Sequence, residues 1–491
     1  MLAMPYPARI PILLRIILVS LAAALPAGAA VSGWAGASDE VTIVLVGDVG
    51  LNRNNQPVEP KGARRGGFLS WDDTTAGLAE DINGDLNFMN VETVVTDRND
   101  LPRDTKGQGG PFNFRTHPNG LRHLVSRGFN LLSLANNHSM DYGVPGLKET
   151  LKHVGAIESE RLAVATGIGM NRDEAATPKR VNVKGTDIAF ASIGIVTNNL
   201  ARHRAGPSQP GQIAYRFDDD FAEVRKRLTA APAGYRILSI HYGIEGQVRT
   251  DARQIAEWRR QAALRDGIDL IVGHHAHVVR GVEIAGGSLI FYGLGNFLHH
   301  GTADMTAKGI CRDWGLMARV HLKKAADGTL KLRALEAIPV TDTHIRPRRL
   351  TGDKGQARVH ALNYLAATLD DEGSGARGLR FAPQADGSGL YCVAGAQADG
   401  GTIGALCKGY RPAPAIPASW RGAIASSCRR EAHHPRNSWC LRHSSCWVPG
   451  LARLFASLAR DDGCEREGRR LFTSPGGRGR KRIQMSFRVR G

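Results

Sequence analysis

The sequence IDLIVGHHAHV, residues 268–278, joins an apolar run to three histidines within four positions. The run at 268–272 is short, rich in branched residues and followed by glycine, which is typical of a buried β-strand. His275 and His277 alternate, so in an extended segment their side chains point the same way, whereas His274 faces the other side. This cluster predicts a metal site at a strand end; the alternative is an exposed loop whose histidines are hydrated.

Four further apolar runs end in polar side chains of the same kinds. The runs are residues 41–46, 86–89, 131–135 and 237–240, and the clusters after them are Gly47-Asp48, Asn90-Val91-Glu92, Asn136-Asn137-His138 and His241-Tyr242-Gly243. In open α/β sheets, functional groups gather beyond the carboxyl ends of strands, so we expect all five clusters at one edge of one sheet. Each cluster alone has an ordinary explanation, such as turn formation by Asn136 and Asn137. Their joint occurrence favours a metal-dependent or hydrolytic site.

The body of the chain, from residue 40 to about 340, alternates between strand and helix patterns. Further strands are expected at residues 187–193, 288–293, 316–321 and 332–338, and helices at 118–127, 145–154, 221–228, 251–266 and 360–369. Such alternation predicts an α/β fold with mixed or parallel sheets. Gly128, Gly155 and Gly267 are suited to ending three of these helices. Residues 52–73 are expected to form a loop, either over the site or on ordinary surface.

The amino-terminal segment has the pattern of an export signal. Arg9 and Arg15 flank and interrupt an apolar stretch, and small residues follow it. Residues 1–37 are therefore expected to be a secretory signal peptide, with an uncleaved membrane anchor as the alternative. Either interpretation places the body of the chain in the periplasm or elsewhere outside the cytoplasm.

The carboxyl-terminal part of the chain divides into two regions. Residues 346–410 are expected to be an extension in which a Cys392–Cys407 disulfide closes a Gly-rich loop, since exported proteins can keep disulfides. Residues 411–491 hold 16 Arg and 1 Lys against 3 Glu and 2 Asp, a net charge of +12 out of +18 for the whole chain. Periodicity vanishes there, so a disordered basic arm, a frameshifted sequence and a genuine appendage all remain open.

The polar clusters supply the ligand types of a two-metal site. Such a site needs a bridging carboxylate with imidazole and amide ligands, and ions about 3.5–4 Å apart can hold the attacking and leaving oxygens of a displacement. The chain offers Asp48, Glu92, Asn137, His138, His241, His274, His275 and His277. Imidazole suits Zn, Fe and Mn, and the carboxylates and amide shift the preference towards Mn. We therefore expect a divalent metal, preferably Mn and alternatively Zn or Fe.

Six segments, taken in order, resemble the bacterial capsule synthesis protein CapA family, also called the poly-γ-glutamate capsule family. They are GDVGL at 47–51, NVE at 90–92, LANNHSMDYG at 134–143, HYG at 241–243, GHHAHV at 273–278 and YGLGNF at 292–297. The resemblance implies a calcineurin-like metallophosphatase fold over residues 40–345: a four-layer α/β/β/α sandwich with two packed mixed sheets. It also implies a role in making, anchoring or exporting an anionic cell-surface polymer, in a membrane capsule-synthesis complex.

The same resemblance implies a role for individual side chains. Asp48 stands where the first metal aspartate sits, Glu92 replaces the usual bridging aspartate, and Asn137 is an implied ligand. His138 is implied to lie near the leaving group, which makes His138 and Asp48 the expected catalytic residues. The remaining implied metal ligands are His241, His275 and His277, and the residues expected to contact the substrate are Arg53, Asn136, His274 and Asn296.

Departures from the family pattern leave two functions open. Gly50 stands where ordinary metallophosphatases have a histidine, which implies a weakly held or absent first ion; Ala276 and Gly293 are milder changes. The first function is an exported metal-dependent hydrolase acting on a phosphate ester, a phosphodiester or a polymer amide bond. The second is a non-catalytic component of a capsule synthesis or export complex that binds polymer carboxylates. No nucleic-acid partner is expected, because exported proteins rarely meet nucleic acid.

Overall fold

The computed structural model describes residues 39–429, apart from 79, 108, 196–198, 263–266 and 374. Every described residue belongs to the first of two units of the chain, Met1–Glu431. The expected signal peptide or anchor at residues 1–37 lies outside the described residues. Within the described ranges, no helix combines the length and the apolar character that crossing a membrane requires.

The elements of the first unit begin at Glu40 and end at Arg429. In chain order, the strands are β1 (Glu40–Gly50), β2 (Gly62–Arg64), β3 (Phe68–Ser70), β4 (Leu86–Val91), β5 (Val94–Val95), β6 (Arg115–Thr116), β7 (Leu131–Ser133), β8 (Val164–Thr166), β9 (Ile168–Gly169), β10 (Lys179–Val183), β11 (Thr186–Gly194), β12 (Gly211–Gln212), β13 (Tyr235–His241), β14 (Leu270–His274), β15 (Val282–Ala285), β16 (Ser288–Phe291), β17 (Asn296–His299), β18 (Gly315–Lys324), β19 (Leu330–Thr341), β20 (Arg348–Arg349), β21 (Ala382–Pro383) and β22 (Gly389–Cys392). The helices are α1 (Trp71–Thr75), α2 (Pro118–Ser126), α3 (Gly143–Ser159), α4 (Arg172–Ala176), α5 (Leu200–His203), α6 (Asp218–Ala230), α7 (Ala252–Ala262), α8 (Gly352–Ala367), α9 (Gly401–Leu406) and α10 (Ala418–Arg429).

Two large mixed sheets organise these strands. The ten-stranded sheet has the order β21-β22-β19-β18-β1-β4-β7-β8, with β17 paired to β1 and β20 to β19; the six-stranded sheet has the order β10-β11-β13-β14-β16-β15. The strands with polar ends are divided between them: β1, β4 and β7 belong to the first, β13 and β14 to the second. The expectation of one edge of one sheet is therefore wrong. A parallel strand buried on both faces shows the same apolar pattern whichever sheet it joins.

Side chains that alternate along β1 enter two different cores. Ile43 and Leu45 pack with Phe190 of the six-stranded sheet, in the core between the two sheets. Val44 and Val46 point the other way and pack with apolar side chains of α2 and α3. Helices α6 and α7 cover the outer face of the six-stranded sheet in the same manner. The layers are therefore α/β/β/α, which confirms the expected fold class. Each fully buried aliphatic or aromatic side chain in these cores contributes about 1.5–3 kcal/mol to folding stability.

Helix α3 is longer than its sequence pattern predicted. It passes Gly155, the expected stop, and continues to Ser159. A glycine inside a helix costs about 1 kcal/mol relative to alanine. Val154 and Ile157, which are buried on either side of it against the ten-stranded sheet, offset this cost. Packing therefore overrides the local preference of Gly155 for a helix end.

A disulfide closes the loop between β22 and the end of α9. It joins Cys392 to Cys407, the pair named from the sequence within residues 346–410. Both cysteines are buried in a small apolar cluster with Ala334 and Ile403, so the extension is fixed to β19 of the large sheet. Residues 346–410 are thus packed on the body of the first unit.

The sequence boundary at residue 411 is wrong for the first part of the basic tail. Residues 418–429 form α10, which packs against α8 and is joined to the body by a Cys311–Cys428 disulfide. Trp420, Ile424 and Cys428 follow one another at intervals of four and cover one apolar cluster, a periodicity too short to recognise beside the irregular sequence that follows. The remainder of the expected tail, residues 430–491, lies outside the described residues.

Candidate metal centre

The carboxyl ends of five strands from both sheets bring the predicted site residues together. Asp48 lies near the end of β1, Glu92 follows β4, Asn137 follows β7, His241 ends β13, and His275 and His277 follow β14. The two sheets pack face to face, so these ends meet across the edge of the sandwich. The site is therefore built from both halves of the fold.

A glycine before Asp48 allows this part of β1 to approach the neighbouring loop. A Cβ atom at Gly47 would lie 1.8 Å from the carbonyl oxygen of Gly295, a separation that no side chain can occupy. With glycine there, the backbone N–H of Asp48 donates a hydrogen bond to that same oxygen at 3.1 Å. The Gly-Asp pair thus fixes the carboxylate of Asp48 beside the segment that carries Asn296.

One group of side chains contains Glu92, His241 and His275. A ligand atom from each lies within 4.8 Å of the others. The Nε2 atom of His241 is 3.3 Å from Oε1 of Glu92 and 3.1 Å from Nδ1 of His275. The side-chain oxygen of Asn137 lies 2.7 Å from the same Nε2 atom. These four side chains offer a carboxylate, an amide oxygen and two imidazoles to a single point.

A second group contains Asp48, Glu92 and His277, again with their ligand atoms within 4.8 Å of one another. The Nδ1 atom of His277 is 3.3 Å from Oδ2 of Asp48 and 3.8 Å from Oε2 of Glu92. Glu92 therefore belongs to both groups, with one carboxylate oxygen facing each. This is the arrangement expected of a carboxylate that bridges two ions.

The electrostatics of the two groups fit a divalent cation. Both oxygens of Glu92 are buried, and neither has a hydrogen-bond partner among the described residues, although buried polar atoms normally have one. Burial raises the pKa of Glu92, but His277 and His241 hold it well below its usual range. Burial lowers the pKa of His277, yet Glu92 and Asp48 raise it to about 10. The carboxylates thus favour positive charge at this point, and the donor set of oxygen and imidazole nitrogen suits Mn, Zn or Fe.

The backbone around the paired histidines is strained. His275 has φ of 86° and His277 has φ of 56°, in a region that residues other than glycine rarely adopt. Each such residue costs about 1–3 kcal/mol, and conformations of this kind cluster at functional sites. The segment is therefore a turn, and the extended alternation predicted for it is wrong. The turn itself brings both rings to the site.

His138 is held beside the two groups by a buried charged pair. Its Nδ1 atom lies 2.7 Å from Oδ2 of Asp141, and Lys106 forms an ion pair with that carboxylate and lies 3.1 Å from Nδ1. The ring of Phe114 packs on the imidazole with centroids 4.5 Å apart. Burial lowers the pKa of His138, and Asp141 opposes this only in part. The other nitrogen, Nε2, faces Oε1 of Glu92 at 4.0 Å.

Two residues expected to contact substrate are instead part of the framework. The side chain of Asn136 donates to the carbonyl of Val91 at 2.9 Å and accepts from the backbone N–H of His138 at 3.1 Å, so it shapes the turn that presents His138. His274 is buried, stacks on Phe88 and lies 3.7 Å from Asp48. The polar atoms of Asn136 and the ring of His274 thus face the interior, and the substrate contact expected of them stays a prediction.

The other two residues expected to contact substrate differ in exposure. Asn296 is buried, and its side-chain oxygen is 2.9 Å from Nδ1 of His277, the same nitrogen that faces Asp48 and Glu92. Arg53 is exposed and lines a cavity together with Arg65. Only Arg53 of the four is placed where a substrate can reach it.

His299 is a site residue that the sequence analysis missed. Strand β17 runs beside β1 with His299 opposite Gly50, and a Cβ atom at Gly50 would lie 3.0 Å from Nε2 of His299. His299 thus fills the space where a side chain at position 50 would stand, with Nε2 3.5 Å from Oε2 of Glu92. Its Nδ1 accepts from the backbone N–H of Gly301 at 3.2 Å, so Nε2 carries the proton and points towards Glu92. A histidine after the apolar residues Phe297 and Leu298 follows the same strand-end pattern that indicated the other candidate ligands.

Two solved structures align with this chain over most of the described residues. A phosphatase from Mycoplasma pneumoniae aligns with 62% of this chain and 94% of its own, at 12% identity and a TM-score of 0.36. The sulfate thiohydrolase SoxB of Thermus thermophilus, in complex with glycerol, aligns with 64% of this chain and 59% of its own, at 15% identity and a TM-score of 0.32.

Several curated proteins are similar in sequence. The PGA biosynthesis protein CapA of Bacillus subtilis is 27% identical over 317 residues, which cover 63% of this chain and 74% of that protein. The capsule biosynthesis protein CapA of Bacillus anthracis is 30% identical over 180 residues, 36% of this chain and 42% of that protein. A probable polyglutamine synthesis accessory protein of Mycobacterium tuberculosis is 26% identical over 293 residues, 53% of this chain and 75% of that protein.

A family model matches the part of the chain that contains the whole candidate site. The model described as bacterial capsule synthesis protein PGA_cap matches residues 42–300, more than half of the chain. This range contains every residue of the two candidate ligand groups as well as His138, Asp141 and His299. The chain therefore belongs to the bacterial capsule synthesis protein PGA_cap family, and the resemblance to CapA proteins indicated by its motifs is confirmed.

Proposed function

We propose that this protein is an extracytoplasmic, metal-dependent hydrolase that acts on an anionic polymer or a phosphate ester in capsule biosynthesis. The observation that carries the proposal is the shared position of Glu92, whose carboxylate belongs both to the His241–His275 group and to the Asp48–His277 group. A structural ion needs only one closed group of ligands. Two groups joined by a carboxylate are what a two-metal hydrolase requires.

Each side chain has a definite task in this proposal. Glu92, Asn137, His241 and His275 would hold one ion, and Asp48, Glu92 and His277 the other. When bound, the ions supply Lewis acidity that stabilises charge on the reacting oxygens. His138 exchanges a proton with the leaving atom at Nε2, since Asp141 occupies Nδ1. The side-chain oxygen of Asn296, 2.9 Å from Nδ1 of His277, lies beside the second group.

The proposed substrate class and compartment have separate support. The Bacillus subtilis relative is named for PGA biosynthesis and the mycobacterial relative for polyglutamine synthesis, so an anionic polymer is the first substrate to examine. The two disulfides, Cys311–Cys428 and Cys392–Cys407, support a compartment outside the reducing cytoplasm.

Metal analysis of the full chain combined with hydrolysis assays tests the proposal. Wild-type protein, loaded with Mn, Zn or Fe and dialysed, is expected to hold about two ions per chain. Glu92→Gln should lose both, because it removes the shared carboxylate, whereas Asp48→Asn should lose one. The matched control is Glu336→Gln, at a partly buried glutamate that accepts from His321 at 2.9 Å away from this site and should keep both ions.

Hydrolysis is measured with p-nitrophenyl phosphate, bis(p-nitrophenyl) phosphate and a γ-linked glutamate polymer. Activity on one of these, dependent on metal and reduced in His138→Ala, is the expected result. A wild-type protein that holds no metal would overturn the proposal. Two bound ions without hydrolysis of any probe would overturn its catalytic part and favour a polymer-binding component instead.

A further inference from the structure

A cavity of about 370 Å³ lies between the loop after β1 and the loop after β17. Its wall includes Arg53 from the loop after β1, Arg65 from the turn between β2 and β3, Gly301 and Thr302 from the loop after β17, and Phe112. Pockets for small organic ligands have volumes of about 300–1,000 Å³, so this one can take a segment of a larger molecule. An inorganic ion alone would leave most of it to solvent.

The charged residues that line this cavity are both positive. Neither guanidinium forms an ion pair with a described residue, and among the described residues that line the cavity none is acidic. The guanidinium of Arg65 is fixed by donation to the carbonyl of Thr302 at 2.8 Å. Burial and the nearby Arg53 lower the pKa of Arg65, and Asp304 opposes this only weakly. Two cations close enough to repel each other are stabilised by an anion between them.

The cavity wall is continuous with the candidate metal centre. Thr302 accepts a hydrogen bond from the side chain of Asn296 at 3.4 Å, and the side-chain oxygen of Asn296 lies 2.9 Å from Nδ1 of His277. On the other side, the ring of Phe112 stacks on Phe114, with centroids 6.0 Å apart, and Phe114 packs on His138. A molecule bound in the cavity is therefore flanked by residues that touch both a candidate ligand and the proposed proton donor.

We propose that Arg53 and Arg65 form a subsite that binds a carboxylate or phosphate group of the polymer next to the bond at the metal centre. The planar guanidinium fork matches both kinds of anion, and Arg65 is already held in place by Thr302. This inference rests on the proposed function for the identity of the neighbouring site. It adds the way in which a polymer, as distinct from a small ester, is recognised.

Calorimetric titration of the full chain tests the subsite, in the His138→Ala background so that ligand is not consumed. The probes are a γ-linked glutamate oligomer, a polyphosphate of matched length and inorganic phosphate. Arg53→Gln and Arg65→Gln should each weaken oligomer binding by at least about 10-fold and reduce its dependence on salt, without changing metal content. Arg64→Gln is the matched control, because Arg64 is adjacent, exposed and paired with Glu59.

The possible outcomes separate this inference from the proposed function. Arginine-dependent binding of the glutamate oligomer or of the polyphosphate that is tighter than the binding of inorganic phosphate supports the subsite. The tighter of the two polymers identifies whether the subsite prefers carboxylate or phosphate. Oligomer binding that is unchanged in the double variant Arg53→Gln/Arg65→Gln, or absent from wild-type protein with its metal bound, overturns the subsite while the metal centre stands. Oligomer binding that depends on both arginines in a protein that holds no metal supports the subsite and overturns the hydrolase.

Discussion

The Nδ1 atom of His138 lies 2.7 Å from the carboxylate of Asp141, three residues further along the same turn. Asp141 is itself fixed, because it also accepts from the backbone N–H of Phe114 and pairs with the buried Lys106. The imidazole is thereby held in one orientation before any substrate arrives, with Nε2 towards Glu92. Orientation by a carboxylate is a recurrent way of preparing a histidine for proton transfer.

Removing this orientation should reduce catalysis without removing the metal. Asp141→Asn and His138→Ala are both expected to lower kcat by about 10²- to 10⁴-fold, since proton transfer at Nε2 is lost or misdirected. Metal content should stay at the wild-type level in both, because neither side chain belongs to the two candidate ligand groups. Elemental analysis beside steady-state kinetics measures both quantities. A variant that loses activity only in proportion to lost metal or lost fold contradicts this role.

The close approach of Gly50 to His299 predicts a strong interaction between two substitutions. A Cβ atom at Gly50 would lie 3.0 Å from Nε2 and 3.1 Å from Cε1 of His299, so Gly50→Ala must displace the ring. Such overpacking costs about 1–3 kcal/mol of unfolding free energy. In a His299→Ala background the same change should cost almost nothing. Denaturant unfolding of the two single variants and the double variant gives the coupling; additivity within about 0.5 kcal/mol would refute the contact.

The two disulfides should differ in what they contribute to stability. Cys311 and Cys428 are 117 residues apart, whereas Cys392 and Cys407 are 15 apart. In the chain-entropy model, closing the longer loop stabilises by about 4–5 kcal/mol and the shorter by about 3 kcal/mol. Replacing the first pair with alanine should therefore lower the unfolding free energy more than replacing the second. Equal losses would show that strain or residual structure outweighs loop length.

Helix α10 should also matter for the candidate metal centre. Arg312 donates to the carbonyls of Ser427 in α10 and of Gly246, at 2.7 and 3.2 Å, and Gly246 donates to the carbonyl of Ala276, between His275 and His277. Ending the chain after residue 408 is thus expected to weaken metal binding as well as stability. Ending it after residue 429 is the control that retains α10. Similar metal affinity and melting temperature for both truncations would contradict the link.

A buried aspartate predicts pH-dependent stability away from the site. Burial raises the pKa of Asp269 from its ordinary 3.8 to about 6, although the backbone N–H of Arg236 donates to it at 2.7 Å. As pH rises, Asp269 ionises in the unfolded chain before it ionises in the folded protein. The free energy of unfolding therefore falls between about pH 4 and pH 6, and it stays lower above pH 6. Asp269→Asn keeps an acceptor and should gain on the order of 2 kcal/mol over wild type at pH 7 but little at pH 4. A gain in stability that does not depend on pH would contradict a raised pKa of Asp269 as its cause.

Strand-end side chains were the part of the site that could be predicted from sequence. Asp48, Glu92, Asn137 and the histidines after the later strands all follow apolar runs, and the structure brings them together. The division of these strands between two sheets was not predictable, because it depends on pairings such as β1 with β18, far apart in the chain. Periodicity within a short window of sequence gives no information about contacts between residues that are far apart in the chain.

Other features of the site could not be predicted, because they depend on backbone conformation or on a single residue without a surrounding pattern. The positive φ angles of His275 and His277 arise from the fold around them, and an isolated Lys106 in a polar loop gives no pattern to follow. His274 and Asn136 have the right chemistry for a site but face inwards, which depends on which way each turn leaves its strand. His299 differs from these, since it stood at a strand end and was overlooked.

The position of β1 in the large sheet sets an order of assembly. This first strand lies between β4 and β18, with Glu40 opposite Lys323 and Leu45 opposite Ala318. During synthesis the amino-terminal half can pair β1 with β4, but the second neighbour of β1 does not exist until the ribosome has passed residue 324. Long-range closure of this kind is slow. The sheet that carries Asp48 is therefore completed only after every residue of the two candidate ligand groups has been synthesised.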